Sequence, residues 1–156
     1  MMFSQPPHSN FAGAADDVLR RSLEDAGWRY TRQRKAVYSH LCAATSHPTA
    51  EQVFSSVRAE IQNISLATVY KALEALVDAG MATRLGDGNG PARYDGRSEA
   101  HYHFRCDQTG EIIDLPLEYD PRLIEKLGPN VEQVLREYGF EVFAHRLELV
   151  GRIRSR

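Results

Sequence analysis

Four stretches with apolar residues at helical spacing fill residues 16–80, each opened or closed by recognisable punctuation, and together they constrain the fold more than any other feature. Val18, Leu19, Leu23 and Ala26 recur at helical spacing, and Gly27 follows as a C-terminal stop. Thr31 is placed to cap a second helix with Val37, Leu41 and Ala44 on one face, until His47-Pro48 breaks it. Thr49-Ala-Glu-Gln52 is a capping box, because Thr49 and Gln52 can each satisfy a free backbone N–H. The helix it opens should bury Val53, Phe54 and Val57. Ser65 caps a fourth with Leu66, Val69, Leu73 and Leu76 inward, and Gly80 closes it. Met81–Leu85 and Ala92–Asp95 then read as the strands of a hairpin around Gly86-Asp-Gly-Asn-Gly90-Pro91. That tip lacks the lysine and following helix of a phosphate loop, so its glycines serve a turn. Helices followed by a two-stranded hairpin are the layout of a winged helix-turn-helix, expected over 12–95 behind a loose tail at 1–11.

The periodicity then drops to two. Tyr102–Cys106 and Glu111–Leu115 read as strands joined by a turn at Asp107–Gly110. Pro121–Leu127 and Val131–Tyr138 read as helices interrupted at Gly128-Pro129. Phe140–Val150 reads as one long strand, with Phe143, His145, Leu147 and Leu149 on one face. The expected fold class is therefore α+β, a winged helix followed by a small α/β dimerisation domain at 96–156. So small a second domain needs a partner to complete its core, so a homodimer is expected.

With 42% hydrophobic and 26% charged residues among 156, the chain is not a disordered one. No apolar run approaches the roughly 20 residues of a membrane span. The N-terminus shows no signal-peptide h-region, so the cytoplasm is expected. Two cysteines, Cys42 and Cys106, supply neither a disulfide framework nor a four-cysteine zinc site.

A net charge of −2 hides a local pattern. Arg29, Arg32, Arg34 and Lys35 crowd together without an acid, and Arg152, Arg154 and Arg156 end the chain. DNA binding needs a basic face rather than a basic protein. Opposite the apolar stripe of the fourth helix lie Ala67, Tyr70, Lys71 and Glu74. In a helix-turn-helix this face enters the major groove, where Lys71 reaches a phosphate or a guanine edge. Tyr70 can hydrogen-bond a phosphate or pack on a thymine methyl.

Six histidines are present, and two of them form His101-Tyr102-His103 in an expected strand, where period two aims both imidazoles one way. Asp95 ends the hairpin, Asp114 lies in the neighbouring strand, and His47 comes from the turn before the third helix. These five nitrogen and oxygen ligands include no thiolate, a set suited to Fe²⁺, Mn²⁺ or Zn²⁺. Each also has an ordinary structural use: a turn at His47, a loop cap at Asp95, an arginine partner for Asp114. His145 lies on an apolar face and reads as a buried, hydrogen-bonded histidine; His8 is tail, and His40 has no partner in view.

The chain resembles the ferric uptake regulator family of metal-dependent repressors from about Leu19 to Gly151. The segments that carry the resemblance are Ala26-Gly-Trp-Arg-Tyr-Thr-Arg-Gln-Arg34, His47-Pro-Thr-Ala-Glu-Gln-Val-Phe54, Ser65-Leu-Ala-Thr-Val-Tyr-Lys-Ala-Leu73, His101-Tyr-His103 and His145-Arg-Leu-Glu-Leu149. The resemblance implies a homodimer on double-stranded operator DNA, with one regulatory metal per protomer on His47, Asp95, His101, His103 and Asp114. It implies a base-contacting role for Tyr70 and a minor-groove role for Arg29, with Lys71 where relatives often have arginine or asparagine. Relatives often hold a structural zinc with two Cys-x-x-Cys pairs. Here the first is reduced to Cys106-Asp-Gln-Thr109 and the second is missing from Arg152–Arg156, so no structural four-cysteine zinc is expected. At a further site of some relatives, Ala100 and Tyr102 stand in for ligands, so His145 is not expected to complete it.

His-Tyr-His with two aspartates is most similar to the peroxide-regulator branch, since iron-sensing members more often carry glutamates. That branch implies DNA binding with Fe²⁺ or Mn²⁺ and release when an iron-ligating histidine, His47 or His101, takes up oxygen. The alternatives are a regulator of iron or manganese level and, in another class, a mononuclear non-haem metal enzyme. The enzyme reading lacks a general base beside an open coordination site, so the chain is expected not to be an enzyme.

Overall fold

Three helices of the N-terminal half begin where a hydroxyl side chain turns back onto the backbone. A computed structural model describes residues 12–44, 46–86, 90–97, 99–128 and 130–152. It contains α1 (Ala12–Asp25), α2 (Arg32–Ala43), α3 (Ala50–Val57) and α4 (Leu66–Asp78). Thr31 accepts the Arg34 N–H at 3.2 Å, Ser65 accepts the Thr68 N–H at 3.1 Å, and Thr49 and Gln52 complete the capping box. Such caps satisfy donors that the first helical turn leaves open. Gly27, at φ +81°, ends α1 in a conformation that a side chain resists.

The core of this half lies along α4, which buries Val69, Ala72, Leu73, Ala75 and Leu76. Leu19, Leu23, Val37 and Val53 close around it. Each fully buried leucine contributes on the order of 1.5–3 kcal/mol. The expected apolar stripe of α1 is narrower than the sequence suggests. Leu19 and Leu23 are buried, but Val18 is 54% exposed. Adjacent positions differ by about 100° around a helix, so Val18 turns away from the line that Leu19 and Leu23 share. Ala26 lies past the end of α1 and is also exposed.

The hairpin pairs β1 (Thr83–Leu85) with β2 (Arg93–Asp95), antiparallel, with Thr83 opposite Asp95. The strand β2 is also stitched to the segment before α3. Thr49 bridges Arg93, the Tyr94 N–H donates to the Pro48 carbonyl at 3.0 Å, and Arg93 Nη1 donates to the His47 carbonyl at 2.8 Å. Gly96 then passes so close to α2 that a Cβ there would lie 2.7 Å from Leu41 Cβ. The expected tail at Met1–Phe11 with His8, the hairpin tip at Asp87–Asn89, Pro129, and Arg154 and Arg156 lie outside the described residues.

The chain divides into two compact units, the first ending at Ser98 and the second beginning at Glu99. The second holds β3 (His103–Cys106), β4 (Ile112–Asp114), α5 (Leu123–Leu127), α6 (Val131–Glu137) and β5 (Glu148–Gly151). The sheet order is β4-β3-β5, with β3 antiparallel to β4 and parallel to β5. The long strand expected over Phe140–Val150 is a misreading, since its ladder starts only at Glu148. Four residues of β3, from His103 to Cys106, supply all of its pairing, so β5 is as long as its partner and no longer. Alternating apolar residues cannot supply a neighbouring strand, and Phe143 is 96% exposed. Helices α5 and α6 bury no residue and have no side-chain cap bond.

Candidate metal centre and nucleic-acid face

In the first unit, the backbone stitching between 47–49 and 93–95 brings two candidate ligands together. His47 Nδ1 lies 3.8 Å from Asp95 Oδ1, and the two residues are only 5% and 4% exposed. Asp95 Oδ1 also accepts the Arg97 N–H at 2.9 Å, which fixes the carboxylate. A carboxylate this buried is costly unless positive charge or several donors meet it.

In the second unit, the β3–β4 register places His103 opposite Asp114. His101 precedes β3 by two residues, and its Nε2 lies 3.1 Å from Asp114 Oδ1; His103 Nε2 lies 3.7 Å from the same oxygen. The two imidazoles meet edge to face with centroids 4.5 Å apart. His101 Nδ1 lies 2.7 Å from the Glu99 carbonyl oxygen. A carbonyl only accepts, so Nδ1 carries a proton and the neutral ring offers its lone pair at Nε2. That lone pair then faces a carboxylate oxygen. Such an arrangement calls for a proton or a cation between the two atoms. The residues of both units thus fit a divalent cation by donor chemistry, through imidazole nitrogen and carboxylate oxygen. Cys42 Sγ instead donates to the Gly96 carbonyl at 3.5 Å, and Cys106 is buried in β3.

His145 is half-buried rather than aligned on a strand face. Its Nδ1 lies 3.3 Å from the Tyr119 hydroxyl, and the two rings stack at 4.8 Å. Tyr102 packs against Tyr119 at 5.4 Å. Tyr119 had no signal in the sequence. His40 sits on α2, where burial pushes its imidazole toward the neutral form.

On α4, Ala67, Tyr70, Lys71 and Glu74 are all exposed, as the stripe opposite the core requires. Arg29 is exposed in the turn between α1 and α2, and its carbonyl accepts from Arg34 Nη1. The Arg34 guanidinium lies over the Trp28 ring at 4.9 Å. Lys35 pairs with Asp16 at 2.9 Å, so the basic stretch is partly compensated. The Tyr70 hydroxyl donates to Glu51 Oε1 of α3 at 2.7 Å. That bond holds the Glu51 carboxyl below its usual range and raises the Tyr70 phenol above its own. Sequence reasoning missed Glu51, because a contact between residues on two different helices leaves no local pattern.

The model of the ferric uptake regulator family matches residues 25–150. The peroxide-responsive repressor PerR of Staphylococcus aureus (strain USA300) is 36% identical over 132 residues, 83% of either chain. Among solved structures, the ferric uptake regulator of Pseudomonas aeruginosa with manganese is 29% identical. It superposes with a TM-score of 0.66 over 88% of this chain and 99% of that one. The Campylobacter jejuni peroxide stress regulator is 26% identical, with a TM-score of 0.60 over 89% of this chain and 96% of the other. The chain belongs to the ferric uptake regulator family of metal-responsive transcriptional repressors. The α+β class with an N-terminal DNA-binding domain holds, and the metal-enzyme alternative falls. A homodimer and a DNA partner both fit this family.

Proposed function

We propose that this member of the family is a peroxide-responsive repressor that binds operator DNA as a homodimer in the cytoplasm. One divalent metal per protomer, Fe²⁺ or Mn²⁺, with Zn²⁺ able to substitute in vitro, is held by His47, Asp95, His101, His103 and Asp114. The donor set carries this reading: two imidazole–carboxylate clusters, one in each unit, with both cysteines engaged or buried elsewhere. The identity to the staphylococcal repressor supports the peroxide branch. Among the described residues no helix is long and apolar enough to cross a membrane.

The two units contribute ligands separately, and that is the source of regulation. Joint ligation restricts the angles the units can adopt, which sets the spacing of two recognition helices in a dimer. Half-sites on DNA lie about one helical turn apart or a multiple of it, so this spacing decides affinity. Coupling between metal and DNA is reciprocal by linkage. On α4, Tyr70 and Lys71 face the major groove, while Arg29 enters the minor groove.

Fe²⁺ held by these residues would activate peroxide, which Mn²⁺ would do far less readily. One peroxide oxygen would then be added to the imidazole of His47 or His101, which gives up two electrons, and the other would leave as water. His47 or His101 carrying that oxygen would no longer offer the same lone pair, so its cluster would lose a donor and the restriction on the units would lift. Cys42 and Cys106 lie in different units, so the imidazoles rather than the thiols are taken as the sensing groups.

Peptide mass spectrometry on Fe²⁺-loaded protein after brief peroxide exposure tests this, with Mn²⁺-loaded protein as control. A gain of one oxygen on His47 or His101, with iron only, is expected. Unmodified histidines in protein shown to hold iron would instead favour a sensor of metal level. The 29% identity to the manganese-bound Pseudomonas regulator makes that the second reading.

A further inference from the structure

We infer that Glu51 is a specificity-determining partner of Tyr70, and that together the two select a base carrying an exocyclic amino group in the major groove. The inference rests on the reading of α4 as the DNA-contacting helix. A tyrosine hydroxyl has one proton and can accept through its lone pairs. Here the proton is committed to Glu51 Oε1 at 2.7 Å, in a bond of the strong, charge-assisted kind. The same bond holds the Glu51 carboxyl further below its usual range. The Glu51 carboxylate is also met by its own backbone N–H and the Thr49 side chain, so what the pair shows outward is the acceptor lone pair of the Tyr70 phenol oxygen.

The major groove offers few partners for such an acceptor. Cytosine N4 and adenine N6 are donors, whereas guanine O6 and N7 and thymine O4 are acceptors. A phosphate oxygen needs a donor, so the backbone is a poor partner for a Tyr70 held in this way. Tyr70 is 45% exposed and Glu51 sits in the first turn of α3, so both reach solvent on one side of the first unit. The carboxylate lowers general attraction to DNA while raising discrimination between bases. Glu51 is a positioning residue in this scheme: it decides which way the Tyr70 proton points.

The test is selection of binding sites from a randomised duplex pool by full-length protein loaded with Mn²⁺. It is followed by affinity measurements for Glu51→Ala, Glu51→Gln, Tyr70→Phe and Tyr70→Ala on the selected site and on single-base variants. Wild type should prefer an amino-bearing base at one position of each half-site by about tenfold, the scale of a good base contact. Glu51→Gln keeps an acceptor and should retain that preference. Glu51→Ala and Tyr70→Phe should reduce it to near parity, while Glu51→Ala binds random-sequence DNA as well as wild type or better. A capping role for Glu51 would lower Tm without moving base preference. Wild-type discrimination in Glu51→Ala overturns the inference, and so does a loss in Glu51→Gln as deep as in Glu51→Ala. Unchanged affinity and preference in Tyr70→Ala would instead remove α4 from the interface, a distinct failure.

Discussion

The two units solve the same problem of stability by different means. The first buries a continuous cluster along α4 and caps three helices with side-chain hydroxyls. The second has two short helices without buried residues or side-chain caps, and it exposes Leu127, Val134, Tyr138, Phe140, Phe143 and Val150. Apolar surface of that extent on a small domain is the signature of a face meant to be covered. The family's dimers give it a natural occupant, a second copy of the chain. The first unit carries its own core; the second leaves an apolar surface that a second copy would cover.

The sharpest way to break this contrast is a pair of truncations. Leu73→Ala, at a fully buried position, should cost about 2–5 kcal/mol in urea unfolding followed by fluorescence of Trp28, the sole tryptophan. Phe143→Ala, at a position 96% exposed, should cost no more than about 0.5 kcal/mol if the chain is alone. A loss at Phe143 that depends on protein concentration would show that a second copy covers that face.

Helix caps offer a smaller effect. Thr49→Ala removes half of a capping box and should destabilise by about 1 kcal/mol. Asn130→Ala at the start of α6 should change stability little, because no side-chain cap bond exists there. Circular dichroism during urea unfolding distinguishes the two.

Acid sensitivity should differ least between the units. In the first, hydrogen bonds from Tyr30 and then Lys35 hold the Asp16 carboxyl below its ordinary 3.8. In the second, Lys126 does the same for Asp120. A depressed carboxyl contributes fully above its ordinary value, and the contribution fades as pH falls through the lower folded value. Asp16→Asn and Asp120→Asn should each flatten the stability profile below about pH 4 and leave neutral pH nearly unchanged. Both pairs are exposed, so salt should weaken both effects alike.

Legibility in the sequence followed the range of the interactions. Thr31, Thr49 and Ser65 each act on a backbone group three residues away, so their helices could be read directly. His101 and His103 stand two apart and meet one carboxylate, which the strand period anticipates. What failed was set by distant partners. The extent of β5 depends on the length of β3, and the exposure of Val18 depends on which side of α1 faces α4. The Glu51–Tyr70 bond joins two helices, and the Tyr119–His145 stack joins a loop to a segment 26 residues later. Neither leaves a periodic trace.

The stitching of 47–49 onto 93–95 has a consequence for chelation. His47 and Asp95 are 48 residues apart in sequence, 95 − 47, yet main-chain bonds and the Arg93–His47 contact hold their backbones side by side. Folding already carries the entropy cost of closing that ring, so on the proposed ligand set these two donors would meet an ion as one bidentate tooth rather than as two independent groups. On the proposed ligand set, metal affinity would therefore depend on these main-chain bonds as well as on the imidazole and carboxylate. Damage to the stitching at Arg93 would register in a metal titration as surely as the loss of an imidazole.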